Sequence, residues 1–234
     1  MANKITFIAE DKYAEEVCPK PFPASQLLPQ WWKDKTPYGI SPDNPDGKKL
    51  IIDNLESNAT FKKCTPMLDT LTSGYIMPLW ADALVDREKG VNWRVNKPLF
   101  DTHGITGVET PDGYSEFVLK FISRWHIKTP PGYSVLITAP FGYNNNPFRA
   151  ITGIIDTDRS PHPLHVPMWV KNNFDGIVEI GTPMFQVIPF KRDNWKADFE
   201  TYEDGKLMRL FDKDVKATIV NNYIKNHWTK KSYK

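Results

Sequence analysis

Short runs in which apolar and polar positions alternate occupy residues 91–95, 114–122, 133–139, 148–156, 164–170, 176–180 and 184–190. Turn chemistry separates them at Pro111-Asp112-Gly113, Pro130-Pro131-Gly132, Tyr143-Asn144-Asn145-Asn146-Pro147 and Phe174-Asp175-Gly176. Strand-length runs joined by turns, with no helix-length segment between them, predict a sandwich or barrel and argue against βαβ units. Residues 4–9, 46–53 and 60–64 read as further strands. Thr65-Pro66 opens a helix over 65–73: a hydroxyl cap, proline at the first helical position, Met67, Leu68 and Leu71 for the buried side, and Gly74 to end it. The extended run 75–85 follows, and Pro78 within it argues against a central strand there.

The period changes at both ends. After Pro19, six further prolines (Pro21, Pro23, Pro29, Pro37, Pro42 and Pro45) break any long element, although Pro29-Gln30-Trp31-Trp32-Lys33-Asp34 suits one or two helical turns. Leu207, Phe211, Val215, Ile219, Tyr223 and His227 recur every fourth residue, the mark of an amphipathic helix. The chain therefore divides into an N-terminal strand with a Pro/Trp-rich arm (1–60), a β-domain (61–196) and a C-terminal amphipathic helix with a basic tail (197–234). The expected class is mainly β, a single β-barrel or sandwich.

Composition sharpens this. Twenty prolines, with 13 Phe, 8 Trp and 9 Tyr among 234 residues, suit rigid turns and bulky half-buried sheet faces. A net charge of +2 excludes a polyanion-coating protein and an acidic disordered chain. The charge is uneven, because five lysines (Lys216, Lys225, Lys230, Lys231 and Lys234) and no carboxylate follow Asp214. That tail is a solvated helix face or, as the alternative, a dock for an acidic partner surface or nucleic acid, and nucleic acid has no other candidate site in the sequence. Cys18 and Cys64 form no disulfide framework and no zinc motif, so a reducing compartment is the default. The apolar stretch Ile5–Ala9 is too short for a signal peptide and no run approaches eighteen apolar residues, so neither secretion by that route nor a membrane span is expected.

Candidate chemistry concentrates in Gly153–His165. Asp156 and Asp158, two apart, share one side of an extended strand, and His162 and His165 follow. Asp158, His162 and His165 are the conceivable metal ligands, but their spacing matches no metal motif, and no metal or other cofactor is expected. No Gly-x-Ser-x-Gly elbow, Walker loop or dinucleotide fingerprint is present, so an enzyme would have to use Asp156 and Asp158 as its acid and base. Trp31 and Trp32 need a surface to cover, in their own domain, on a ligand or on a neighbouring subunit; with Trp228 they are the interface candidates.

Two family resemblances bear on function. The order Thr129-Pro130-Pro131-Gly132-Tyr133, Gly153-Ile154-Ile155-Asp156 and Gly181-Thr182-Pro183-Met184-Phe185-Gln186 resembles the deoxyuridine triphosphatase and dCTP deaminase β-barrel family. The resemblance implies a barrel, with Asp156 at the sugar and attacking water and Gln186 near the phosphates. The family's Arg-Ser-Ser is replaced by Ala139-Pro140-Phe141-Gly142-Tyr143, and its tyrosine after the strand aspartate is missing, with Arg159-Ser160 in that place. A ligand-binding derivative would use Asp156, Arg159 and Gln186, with Arg124, Arg149 and Lys191 as substitute phosphate donors. Over more of the chain, Leu28-Pro29-Gln30-Trp31-Trp32-Lys33, Lys62-Lys63-Cys64-Thr65-Pro66-Met67-Leu68-Asp69, Thr72-Ser73-Gly74-Tyr75-Ile76 and the Thr129–Ser134 turn resemble a family encoded by tailed bacteriophages and some bacteria. That resemblance carries no activity. It implies a non-enzymatic virion or assembly component, located in the virion or host cytoplasm and partnered by copies of itself or by other virion proteins. The alternative is the nucleotide- or small-ligand-binding barrel, possibly a hydrolase.

Overall fold

A computed structural model describes residues 3–37, 50–52, 55–57, 60–103, 108–160, 162–203, 205–209 and 222–234. The elements in chain order are β1 (Thr6–Ala9), α1 (Lys12–Glu16), β2 (Phe22–Pro23), α2 (Gln30–Asp34), β3 (Leu50–Ile52), β4 (Leu55–Ser57), α3 (Thr65–Thr72), β5 (Tyr75–Pro78), β6 (Ala83–Asp86), β7 (Gly90–Trp93) and β8 (Phe100–Thr102). They continue with β9 (Leu119–Ile122), β10 (Trp125–Lys128), β11 (Tyr133–Thr138), β12 (Phe148–Ala150), β13 (Gly153–Ile155), β14 (His165–Val170), β15 (Gly176–Val178), β16 (Pro183–Lys191) and α4 (Asn222–Asn226). The protein is mainly β, and it divides into two compact units, one of residues 1–29, 71–192 and 233–234, the other of 30–70 and 193–232.

The first unit holds a five-stranded sheet, β13-β11-β16-β5-β2, and a four-stranded sheet, β12-β14-β9-β8. Inward residues of the first sheet (Met77, Val135, Ile137, Phe185, Val187) and of the second (Phe100, Phe121, Phe148, Val166, Met168) form one buried cluster. Phe121 and Phe185 meet edge-on across the sheets at 6.1 Å, and Phe100 stacks on Phe148 at 4.9 Å. This is sandwich packing, in which alternate residues of each strand face the other sheet. A three-stranded sheet, β15-β6-β7, and the pair β1-β10 complete the unit. Asp11 caps α1 by accepting from the Ala14 amide, and Trp125 Nε1 donates to Pro19 O at 3.0 Å, so the first 29 residues are tied into this unit.

Thr60–Cys64 is not the expected strand. Phe61–Lys63 is a 3-10 turn because Thr60 Oγ1 accepts from the Lys62 amide and folds the chain at once. The run 148–156 is two strands: β12 pairs with β14 and β13 with β11, so the chain crosses between sheets at Ile151-Thr152. β5 is internal to its sheet despite Pro78, which sits at its last position opposite Pro183, beside the register irregularity between Pro183 and Phe185, the kind of place where a sheet tolerates proline. β8 and β10 lie outside the predicted runs. Of the C-terminal amphipathic pattern, 206–209 and α4 are helical, whereas Phe211, Val215 and Ile219 lie outside the described residues. So does most of the expected strand 46–53, of which β3 covers 50–52.

Gly74 ends α3 as expected and does more. Its φ of +71° is one that L side chains rarely adopt, and a Cβ there would stand 2.0 Å from Val187 O. Only glycine lets the helix exit lie against the backbone of β16. Among the described residues no helix is long and apolar enough to cross a membrane.

Candidate functional site

β13 runs into a turn in which the amides of Arg159 and Ser160 both donate to Asp156 O. The turn aims Asp158 at the Pro130-Pro131-Gly132 turn and at Arg192, just beyond β16. Asp158 accepts from the Gly132 amide at 2.8 Å and takes a bidentate bond from Arg192, Nη1 to Oδ1 at 2.9 Å and Nη2 to Oδ2 at 2.5 Å. Arg192 Nη1 also reaches Tyr133 O and Ser134 Oγ, while the Ser134 hydroxyl donates to Asp156 Oδ1 at 2.6 Å. The Arg192 guanidinium, helped by the Gly132 amide, holds the Asp158 carboxyl down at about 2. In return Asp158, followed by Asp156, raises the Arg192 pKa. A carboxylate so stabilised is a weak base and has no proton to give near neutrality. Asp156 and Asp158 therefore do not share one side of a strand as expected, because β13 ends at Ile155 and both stand in the turn after it; there they meet Arg192 in a clasp joining β11, the turn after β13 and the end of β16.

Gln186 is 1% exposed. Its Nε2 donates to Ser73 O at 2.6 Å and its Oε1 accepts from the Phe141 amide at 3.1 Å. It satisfies the carbonyl left open at the end of α3 and pins the loop after β11, so both ends of the amide serve the fold. Arg159 is exposed. His162 and His165 are exposed too, and among the described residues no three of His, Cys, Asp and Glu gather to hold a metal. Of the substitute anion donors, Arg124 is buried and engaged by Glu10 and Asp11, with Trp80 5.6 Å from its guanidinium. Lys191 ends β16 opposite Tyr133.

In the second unit, Trp32 is 3% exposed under Lys62, whose ammonium lies 5.3 Å from the ring and donates to Trp32 O. Trp31 meets Trp32 edge-on at 5.8 Å and keeps part of its surface in solvent. Trp228 Nε1 donates to both oxygens of Asp69, which also binds Lys231 at 2.6 Å. Trp32 and Trp228 are thereby committed within the chain, and one lysine of the basic tail is neutralised.

Two features were not singled out from the sequence. The first is a pocket of about 380 Å³ in the first unit, beside the loop after β11, with Tyr114, Phe141, Tyr143, Phe148 and Arg149 among its walls. The loop is held from several sides: Tyr143 Oη donates to Leu27 O at 2.6 Å, Asn146 Nδ2 to Pro183 O at 2.6 Å, and Lys171 Nζ to Asn144 O at 2.7 Å. Burial pushes the Tyr143 hydroxyl pKa up. Arg149 is exposed, with its guanidinium carbon 5.8 Å from the Tyr114 ring and 6.0 Å from that of Trp169. The sequence alone marks it only as one of three cations that could stand in as phosphate donors.

The second is the segment 193–203, which has no regular secondary structure. Trp195 is 90% and Phe199 92% exposed, and Tyr202 is exposed as well. The signal was available in the sequence: three aromatics at intervals of four and three, set among acids, directly after the last strand run.

No family model matches the chain, and no curated protein matches it either.

Proposed function

We propose that this protein is a non-enzymatic structural component of a bacteriophage particle or of its assembly, and that it works by self-association through the arm 193–203. The observation that carries the reading is the near-complete exposure of Trp195 and Phe199 on one extended segment. Large aromatics left in water are unfavourable. Each contributes roughly 1.5–3 kcal/mol when buried, and aromatic anchors of this kind dominate protein interfaces. The resemblance of the Gln30–Lys33, Lys62–Asp69 and Thr72–Ile76 segments to phage-encoded proteins supports the virion setting. The commitment of Asp158 and Gln186 to structural bonds favours this reading over a ligand-binding or hydrolytic barrel.

Light scattering coupled to size exclusion tests it. The full chain is expected to run as a concentration-dependent oligomer, and the double variant Trp195→Ala/Phe199→Ala as a monomer. A wild-type chain that stays monomeric and is absent from purified particles overturns the proposal.

A further inference from the structure

The arm has a counterpart on the same chain. Resting on the self-association reading, we infer that the arm 193–203 of one copy docks in the Arg149 pocket of a second copy.

Three observations converge. The first is shape and chemistry. A pocket of about 380 Å³ with walls from Tyr114, Phe141, Tyr143 and Phe148 has room for one aromatic side chain and offers it ring edges and faces. The second is charge. None of the residues lining the pocket is acidic, Arg149 stands on its rim, and the ammonium of Lys171 lies at the neighbouring Asn144 carbonyl. The arm carries Asp193, Asp198, Glu200 and Glu203 against the single cation Lys196, with Phe199 between two of its carboxylates. An aromatic flanked by acids meets an aromatic pocket rimmed by cations, and oppositely charged patches of this kind set register and speed encounter. The third is preorganisation. The pocket loop is tied down by Gln186, Tyr143, Asn146 and Lys171, and Arg149 lies against two rings, so little ordering remains to be done on binding.

The contact is head-to-tail: the surface a copy offers differs from the surface it accepts. Such contacts generate rings where the rotation closes and filaments where it does not.

The test uses the full chain with two substitutions that disable opposite halves of the contact. Arg149→Glu reverses the pocket's charge, and Trp195→Ala/Phe199→Ala blunts the arm; Arg149, Trp195 and Phe199 are all exposed, so each variant is expected to keep the wild-type circular dichroism spectrum and, in dilute solution where all are monomers, the wild-type melting temperature. Each alone is expected to be monomeric. Mixed, they are expected to form a 1:1 heterodimer and nothing larger, since one intact arm and one intact pocket remain. If Arg149→Glu oligomerises as the wild type does, the pocket assignment fails while self-association stands. A fluorescein-labelled peptide of residues 193–203 separates the two readings independently. It is expected to bind the double arm variant and to bind Arg149→Glu about tenfold or more weakly. Equal binding to both variants, or to neither, overturns the inference.

Discussion

Arg192 grips Asp158 with both guanidinium nitrogens, and the exposed arm begins at the next residue. The same guanidinium bonds Tyr133 O and Ser134 Oγ, and the Arg192 amide donates to Gly132 O, so the end of the first unit's 71–192 stretch is anchored to β11 and the turn before it.

The clasp makes stability depend on pH with a definite sign. Asp158 is held at about 2 against an ordinary 3.8, so the unfolded chain binds more protons than the folded one as acid is added. The clasp's contribution is complete above the ordinary value and is lost as pH falls through the folded one. Melting curves from neutrality down to about pH 2 should show the wild type's advantage over Asp158→Asn shrinking across that window. An advantage that stays constant in acid would refute the assignment of the low value to Asp158. Asp11, held at about 2 chiefly by Lys97, adds a loss of the same sign in wild type and variant alike.

Gln186 should behave as a structural residue. Gln186→Leu leaves the Phe141 amide and Ser73 carbonyl without the partners seen here, at about 1–3 kcal/mol for each buried group. Urea unfolding is the measurement, and a variant within about 0.5 kcal/mol of wild type would show that water replaces both bonds.

Two glycines with similar φ separate backbone strain from collision. Gly113, at φ +81°, has nothing within 4 Å of an added Cβ, so Gly113→Ala should lose only the left-handed penalty of roughly 1–2 kcal/mol. Gly74→Ala adds a 2.0 Å approach to Val187 O and should lose clearly more, with a larger drop in denaturation midpoint. Equal losses would mean that β16 yields at that point.

The tryptophans divide by environment. Trp32→Ala should cost about 3–5 kcal/mol, because the ring is buried beneath Lys62. Trp195→Ala should change the stability of the monomer by no more than about 0.5 kcal/mol. Chemical denaturation of dilute protein compares the two.

Most of the β-architecture was legible because turns announce themselves: the Pro130–Gly132 and Phe174–Gly176 turns precede β11 and β15. The cap-and-glycine punctuation of α3 was equally readable. The crossing at Ile151-Thr152 was not, since an apolar run continues through it and only the choice of pairing partner changes. Gly153–His165 stands out in the sequence as a polar segment, but the role of Asp158 within it depends on Arg192, thirty-four positions beyond and in no motif with it. Gln186 was noticed for its family resemblance, whereas its two partners lie 113 and 45 residues away and come together only through the sheet. The exposure of Trp195 and Phe199 is not legible in the sequence, because an aromatic residue in a stretch without turn signals gives no indication of whether it is buried.

The five-stranded sheet also sets a constraint on synthesis. β16 lies between β11 and β5, yet those neighbours precede it by about fifty and a hundred residues. While a ribosome is still adding residues 139–182, both neighbours have been made and each has an open hydrogen-bonding edge waiting for a partner. Closure of that sheet is therefore late and long-range, and during the interval the nascent chain is exposed to pairing with the wrong strand.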